Sequence, residues 1–426
     1  RVKVSNACSG QTVTSSNATL TVLDPWVFYS WTDAGGDHLY SNTNNWNPNG
    51  LPTGKDFAFV NIPDAMVINS NFSADTLRSG GGSTILHTNG TLTIVNGLWF
   101  DNGLYVGDNG DNGGSATYNL NGGKIVIQDP DGFHVGSALP SVATFNFLSG
   151  AITNTAGDTH VGLDGIGIWN QSGGVFKGAG VQIGRFASSN GVVNLSGTAK
   201  WDSTLVLLAD GHGADFTPIY GAGNRNPNPA SMNVIGPGVV YDSVGLVMMQ
   251  EGNLTFNGAG GGFSTMNLGG GIFLINGGKL YVTNAPSPAS SGQEIVLMRN
   301  IGTHNGANDQ FTNSPNGTVY NTVGGGQWTL TYRPPIGATN IVLVATAVPA
   351  PITITNSTVA AGNMTMVFTA GASDSTASFV VQRASTVTGS FADVSPAATI
   401  IQLSPGVFRA VTPLNGAIQF YRIRRQ

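Results

Sequence analysis

The sequence is poor in the residues from which most active sites and disulfide frameworks are built. Its 426 residues include one cysteine, Cys8, which excludes an intramolecular disulfide framework and a cysteine-based zinc site. It contains two glutamates, Glu251 and Glu294, and no His-Glu-x-x-His motif, phosphate-binding loop or nucleophile elbow. We therefore predict that the chain is not an enzyme, and we expect no catalytic residue, no cofactor and no bound metal.

Charged residues and long apolar runs are also scarce. Charged residues make up 9% of the chain and the net charge is −5, which makes nucleic acid and anionic membranes poor partners. No apolar run reaches the ~18 residues of a membrane-spanning helix. The chain has instead 61 glycines and many short apolar runs, such as Lys124–Ile127, between glycine, asparagine, aspartate and serine. These runs are typical of short strands joined by turns, so we predict an all-β fold.

An asparagine recurs inside similar short motifs, for example Phe145-Asn146-Phe147. Successive copies are 27, 24, 24, 39 and 24 residues apart, and the longest interval equals 24 plus a 15-residue insertion within Ala209–Pro229. A fixed period in the low twenties with stacked polar residues is typical of a solenoid. The six residues of this asparagine column are Asn119, Asn146, Asn170, Asn194, Asn233 and Asn257.

The residues within each repeat indicate which type of solenoid forms. Leucines at fixed offsets, which leucine-rich repeats of similar length need, are missing, whereas three short strands and three turns account for one period. We predict that Asp56–Thr283 forms a right-handed parallel β-helix of roughly nine or ten coils. In this interpretation the asparagines point inward, because amides stacked one strand apart satisfy each other's buried donors and acceptors.

A second column precedes the recurring Val-Gly and Ile-Gly pairs and consists of Tyr105, His134, His160 and Gln182. We predict that these side chains form an exposed row on one outer face. Asp131 and Asp158 could turn this row into a hydrolytic or metal site, but their different offsets from the histidines place them on different faces. A solvated polar row is the better interpretation.

Other aspartates lie in turns or in the insertion. A calcium site in the glycine- and asparagine-rich turns is disfavoured, because the repeated Gly-Gly-x-Gly-x-Asp signature of calcium-stacked solenoids is absent. The insertion is a natural place for a ligand-binding loop, although a single short loop is weak evidence. The candidate residues are Asp108, Asp111, Asp129 and Asp131 in the turns, and Asp210, His212 and Asp215 in the insertion.

The ends of the chain differ from the middle. Residues 1–24 contain Val2–Gly10 and Ser16–Val22, which resemble the last two strands of bacterial immunoglobulin-like domains, with predicted strands at Arg1–Val4 and Ala18–Leu23. Residues 25–349 contain Asn44-Asn45-Trp46-Asn47 near the start and Gly324–Tyr332 near the end. Both motifs resemble autotransporter-associated repeat proteins, which implies a large secreted or surface β-helix with capping segments.

Residues 350–426 contain three alternating runs and end in Phe420-Tyr421-Arg422-Ile423-Arg424, which resembles the C-terminal domains of large secreted bacterial proteins. We predict a small antiparallel sandwich of immunoglobulin or fibronectin type. Such a sandwich normally has one more strand. We expect the N-terminal segment of a neighbouring copy to supply it, and the predicted donor strand is Ala18, Thr19, Leu20, Thr21, Val22 and Leu23.

These observations favour a structural subunit of an extracellular or cell-surface fibre, whose main partner is another copy of itself. The alternatives are a terminal segment that caps its own β-helix, and a secreted polysaccharide-degrading or carbohydrate-binding protein on the same scaffold. Surface glycans are also candidate partners. The candidate glycosylation sequons are Asn71, Asn89, Asn253, Asn316, Asn356 and Asn363.

Overall fold

The computed structural model is all-β. It describes residues 3–5, 12–14, 25–95, 102–108, 114–186, 188–209, 228–249, 251–271, 273–302, 310–333, 339–416 and 419–426. In these ranges the regular structure is β-strand apart from three short 3₁₀ helices at Thr43–Asn45, Val323–Gly325 and Thr376–Ser378. No helix in the described ranges is both long and apolar enough to cross a membrane.

Two short strands at the N-terminus pair in antiparallel fashion, β1 (Lys3–Ser5) with β2 (Thr12–Thr14). The first overlaps the strand predicted at Arg1–Val4. The second lies between the two predicted strands, where no strand is predicted. The predicted donor strand Ala18–Leu23 lies outside the described residues.

A large mixed sheet follows and contains most of the chain. Its strands are β3 (Phe28–Trp31), β4 (Trp46–Asn47), β5 (Phe57–Val60), β6 (Ala65–Ile68), β7 (Phe72–Ala74), β8 (Thr76–Ser79), β9 (Ser83–His87), β10 (Thr91–Ile94), β11 (Gly103–Val106), β12 (Ala116–Ile127), β13 (Phe133–Val135), β14 (Val142–Asn154), β15 (Thr159–Val161), β16 (Ile166–Gln171), β17 (Val175–Ile183), β18 (Asn190–Leu195), β19 (Lys200–Leu208), β20 (Ala230–Ile235), β21 (Val240–Met249), β22 (Gly252–Asn257), β23 (Met266–Asn267), β24 (Phe273–Asn276), β25 (Lys279–Thr283), β26 (Glu294–Arg299), β27 (Val319–Asn321), β28 (Gln327–Arg333) and β29 (Asn340–Ala347).

Most pairings in this sheet are parallel and join strands of one repeat to those of the next. They form three ladders. Ladder A contains β6, β9, the first parts of β12 and β14, then β16, β18, β20, β22 and β25. Ladder B contains β7, β10, the second parts of β12 and β14, the first parts of β17, β19 and β21, then β23 and β26. Ladder C contains β3, β5, β8, β11, β13, β15, the second parts of β17, β19 and β21, then β24.

One hydrophobic core contains buried side chains from all three ladders, and along each strand alternate residues point to opposite faces. Trp169 is fully buried, and its ring centroid lies 4.6 Å from that of Phe145, 5.2 Å from Phe176 and 5.8 Å from Trp201. These four side chains come from ladders A and B. Aromatic residues bury large areas and gain further from tilted and edge-to-face contacts, so the ring stack stabilises the repeats against one another.

The last part of the large sheet is antiparallel. The strand β29 pairs with β26 and with β28, and β28 also pairs with β27. Trp328 in β28 is fully buried and donates a hydrogen bond from Nε1 to the carbonyl oxygen of Pro286 at 2.7 Å. This antiparallel part therefore continues ladder B beyond β26.

The C-terminal residues form two small antiparallel sheets. Their strands are β30 (Thr353–Ala360), β31 (Asn363–Thr369), β32 (Phe379–Ala384), β33 (Ala392–Asp393), β34 (Thr399–Ser404), β35 (Val407–Pro413) and β36 (Phe420–Arg425). The first sheet has the strand order β30-β31-β35-β34 and the second β33-β32-β36. Phe379 of the second sheet lies with its ring centroid 5.0 Å from that of Phe368 and 4.8 Å from that of Phe408, so the two sheets share one core.

Candidate functional site

The strand β36 has a free edge. It pairs with β32 through residues 379–384 and 420–425, and no other strand in the described ranges pairs with it. Tyr421 and Ile423 pack against the core of the two small sheets but are only half-buried, and Phe420 is 36% exposed. A sheet edge presents unpaired backbone groups to which a further strand can bind. Here it also borders an incompletely covered core.

The same strand is anchored firmly at its end. The Arg425 guanidinium donates to the Asp374 carboxylate at 2.7 Å and to the carbonyl oxygen of Ala350 at 3.1 Å. The Asp374 side chain is fully buried and that of Arg425 is 15% exposed. One edge of β36 thus pairs with β32, and Arg425 fixes the C-terminal end of the strand. The other edge has no partner among the described strands.

A chain of hydrogen bonds joins five of the six residues of the asparagine column. In each bond Nδ2 of the later asparagine donates to Oδ1 of the earlier one, at 2.9 Å for Asn146 to Asn119, 3.0 Å for Asn170 to Asn146, 2.8 Å for Asn194 to Asn170 and 2.7 Å for Asn233 to Asn194. All bonds run in the same direction. The stacking in register follows from the strand pairing of ladder A.

Two predictions about this column are wrong. The asparagines are half-buried and point outward, because their neighbours Phe145 and Phe147 occupy the inward positions of the same strand. Asn257 is not part of the chain, since Asn233 pairs with Thr255 in the next strand and Asn257 pairs with Ile235. The Asn257 Oδ1 accepts instead from Asn284 and from the backbone of Ala259.

A groove of about 300 Å³ lies along the asparagine column. None of the residues that line it carries a charge. Its lining residues are Asn119, Asn146, Leu148, Asn170, Gln171, Ser172, Asn194 and Ser196.

The predicted outer row on ladder C is in register but is buried. Tyr105, His134, His160 and Gln182 are exposed by 3%, 5%, 4% and 6%, so the prediction of an exposed row is wrong. The rings of Tyr105 and His134 are stacked with centroids 4.4 Å apart, and those of His134 and His160 lie 4.8 Å apart. The ring of each residue is covered by the ring of the residue in the next repeat. The sequence pattern does not predict this burial.

The hydrogen bonds of this row fix the tautomers of its histidines. Arg185 Nη1 lies 3.0 Å from His160 Nε2, which must accept, so His160 carries its proton on Nδ1. That proton points to Nδ1 of His134 at 3.1 Å, and Nε2 of His134 donates to the carbonyl oxygen of Asp131 at 2.7 Å. Burial, together with the neighbouring His134 and Arg185, holds the pKa of His160 well below its ordinary value. Both imidazoles are thus neutral in this arrangement.

The aspartates near this row have other partners. The Asp131 carboxylate accepts from the backbone of Asn102, and that of Asp158 accepts from Gln182. Neither carboxylate is hydrogen-bonded to a histidine through a contact that the structure describes. Asp108 is buried and accepts from Ser137, and Asp129 is buried and accepts from the backbone of Asp131. Asp111, Asp210, His212 and Asp215 lie outside the described residues.

One cluster was missed by the sequence analysis. Asp33, His38 and Asp64 each place one ligand atom within 4.8 Å of the others, with His38 Nδ1 2.8 Å from an Asp33 oxygen. Imidazole and carboxylate together suit a divalent cation, but an ordinary ion pair also accounts for the contact. No sequence motif marks the cluster, because Asp64 lies far along the chain from the other two in an irregular segment.

The six candidate sequons lie at different depths. Asn71, Asn89, Asn316 and Asn356 are exposed, whereas Asn253 and Asn363 are half-buried. The Asn71 Oδ1 accepts from the backbone of Thr91 at 3.0 Å.

Comparisons with known proteins found no protein family, curated protein or solved structure that matches this chain.

Proposed function

We propose that the chain is the repeating subunit of an extracellular bacterial fibre, and that copies join head to tail by strand addition. In this proposal residues 25–349 form a right-handed parallel β-helix that acts as the rod of each subunit. The three parallel ladders and their continuous core support a rod. The resemblance of the Trp46 and Trp328 segments to autotransporter-associated repeats supports a secreted or surface location. The proposal assigns no catalytic role to the chain.

The observation that carries the proposal is the free edge of β36. The orders β30-β31-β35-β34 and β33-β32-β36 correspond to the arrangement of an immunoglobulin-type sandwich, in which one further strand lies beside the strand equivalent to β36. A strand added there would cover Tyr421 and Ile423 and pair the exposed backbone of β36. Among the described strands, β30, β33 and β34 also lack a partner on one edge, but none of these edges lies beside β36, where this arrangement has its further strand.

The sequence of the predicted donor strand suits this edge. In an extended conformation Ala18, Leu20 and Val22 would point to one face, and Thr19, Thr21 and Leu23 to the other. The apolar face can complete the core while the threonines meet solvent. Strand addition of this kind takes its affinity from main-chain hydrogen bonds and its specificity from alternate side chains. Because the donor and acceptor surfaces differ, contacts that do not close into a ring generate a filament.

Mutation of the two faces of the donor strand tests the proposal. We expect Leu20→Asp with Val22→Asp to abolish fibres in electron micrographs and to leave monomers in sedimentation velocity. The matched control, Thr19→Asp with Thr21→Asp, changes the charge equally on the solvent face and should still assemble. Equal assembly of both double variants would overturn the proposal.

A second experiment supplies the strand within one chain. Deleting residues 1–24 and appending residues 15–24 after Gln426 through a flexible linker should give monomers whose C-terminal sheets are more stable than those of the deleted chain. If the segment instead caps its own rod, appending it will not raise the stability of the C-terminal sheets. Fibres from the deleted chain that match those of the full chain would also end the proposal.

A further inference from the structure

We infer that the groove beside the asparagine column binds a neutral, hydroxyl-rich polymer, namely a linear polysaccharide. This site is separate from the strand-addition contact and does not depend on assembly. It follows from the hydrogen-bonding groups that the column leaves available and from the absence of charge in the lining.

The column uses only part of each amide. A side-chain amide has two N–H donors and an oxygen with two lone pairs. In Asn146, Asn170 and Asn194 one donor and one lone pair are used within the column, so one donor and one lone pair remain at each. These side chains are half-buried and line the groove. The groove therefore presents alternating donors and acceptors at intervals of one strand spacing, about 4.8 Å.

The rest of the lining extends this pattern. Ser172 is exposed, and its hydroxyl can donate and accept. Ser196 is half-buried and its hydroxyl donates to the carbonyl oxygen of Gln171 at 3.5 Å, so it serves the groove as an acceptor. Gln171 lies in register with the inward Phe147, and its side chain donates to the carbonyl oxygens of Gly174 and Lys200, so it offers no hydrogen bond to the groove. Leu148 is 50% exposed and offers an apolar surface beside the polar groups. A pyranose ring combines hydroxyls at its rim with C–H groups on its faces, which matches this combination.

The lining also determines what the groove rejects. None of the eight lining residues is ionisable, so a uronate or a phosphate would lose hydration without gaining a counter-charge. The amides of Asn119 to Asn194 cover three strand spacings, about 14 Å, which suits several consecutive sugars rather than a single one. The ligand class is therefore a neutral chain.

Isothermal titration calorimetry tests this inference with a panel of neutral hexasaccharides: cellohexaose, laminarihexaose and mannohexaose. Hexagalacturonate serves as the charged comparison. We expect saturable binding of at least one neutral oligosaccharide and weaker binding of hexagalacturonate. The deletion of residues 1–24 should bind equally well, so that failure of assembly and failure of binding are distinguishable.

Variants locate the site. Ser172→Arg places a large side chain in the groove from an exposed position, and we expect it to weaken binding at least about tenfold, or roughly 1.4 kcal/mol. Leu148→Ala should also weaken binding, and it leaves the amide column intact. Ser291→Arg is the matched control, since Ser291 is exposed and does not line the groove. Thermal melting checks that each variant is folded. Absence of binding by every neutral oligosaccharide, or equal binding by the Ser172 and Ser291 variants, would overturn the inference.

Discussion

The Nδ1 atoms of His134 and His160 lie 3.1 Å apart, although the two residues are 26 positions apart in the chain. One of the two nitrogens must donate and the other must accept, so the contact requires at least one neutral imidazole. Arg185 on the other side of His160 adds a fixed positive charge at 3.0 Å. Protonation of both histidines would place three positive charges in one buried row.

Stability should therefore fall on acidification. The pKa of His160 is depressed in the folded state, mainly by burial, so the neutral form stabilises the fold. This contribution is complete above the unfolded pKa of about 6.5 and is lost as the pH falls through the folded value. We expect the melting temperature to drop between pH 7.5 and pH 5.

The variant His160→Gln should reduce this pH dependence, because an amide cannot take up the proton and Gln182 already occupies the next position of the row. The control is His38→Gln, since the His38 side chain is 46% exposed. Melting temperatures of the two variants, measured from pH 7.5 to pH 5, test whether His160 causes the pH dependence. An unchanged slope for His160→Gln would contradict this interpretation.

The amide column should contribute modestly to stability. Asn146→Ala removes two side-chain hydrogen bonds and leaves Asn119 and Asn170 without a partner at this point. Because these groups are half-buried and water can replace the lost bonds, we expect a cost of about 1 kcal/mol in the free energy of unfolding. Thr144→Ala, on the same outer face of β14, should cost less in urea titrations. A loss above about 3 kcal/mol would indicate that the amides are shielded from water.

The ring stack should be the most sensitive part of the core. Trp169 is fully buried and contacts rings from four other strands. Trp169→Ala should lower the free energy of unfolding by about 3 to 5 kcal/mol, since the repeats cannot collapse around so large a cavity. Guanidinium titration, monitored by circular dichroism, measures this loss in the free energy of unfolding. A loss below about 1 kcal/mol would show that the repeats repack.

Two ion pairs should differ strongly in importance. Arg425→Met leaves the fully buried Asp374 carboxylate without its cation and should cost about 3 to 5 kcal/mol. Arg333→Met breaks a pair with Glu294 whose side chains are 44% and 41% exposed, and it should cost no more than about 1 kcal/mol. Thermal unfolding of both variants tests this, and equal losses would contradict it.

The period of the ladders could be predicted from the sequence, because strand pairing places recurring residues in register. The direction of the asparagines was predicted wrongly, although the signal was present. Phe145 and Phe147 flank Asn146, and a strand that buries both neighbours must expose the residue between them. The aromatic pair determines the face, since burial of two rings outweighs that of one amide.

The burial of the His134 row could not be predicted from alternation alone. Outward residues of a strand become buried when the rings of adjacent repeats cover one another, and this depends on side-chain conformation as well as on register. The cluster of Asp33, His38 and Asp64 escaped prediction for a different reason. It joins two irregular segments, where sequence periodicity carries no information.

The hydrogen bond between Asn194 and Asn233 spans 39 residues, yet at 2.7 Å it is as short as those that span 24. The spatial repeat is thus independent of the length of chain between neighbouring strands. Closing the longer connection costs only about 0.4 kcal/mol more than closing a 24-residue one, because loop entropy grows with the logarithm of length. We therefore expect this junction to accept a guest peptide or a small foreign domain, which the proposed fibre would display at regular intervals.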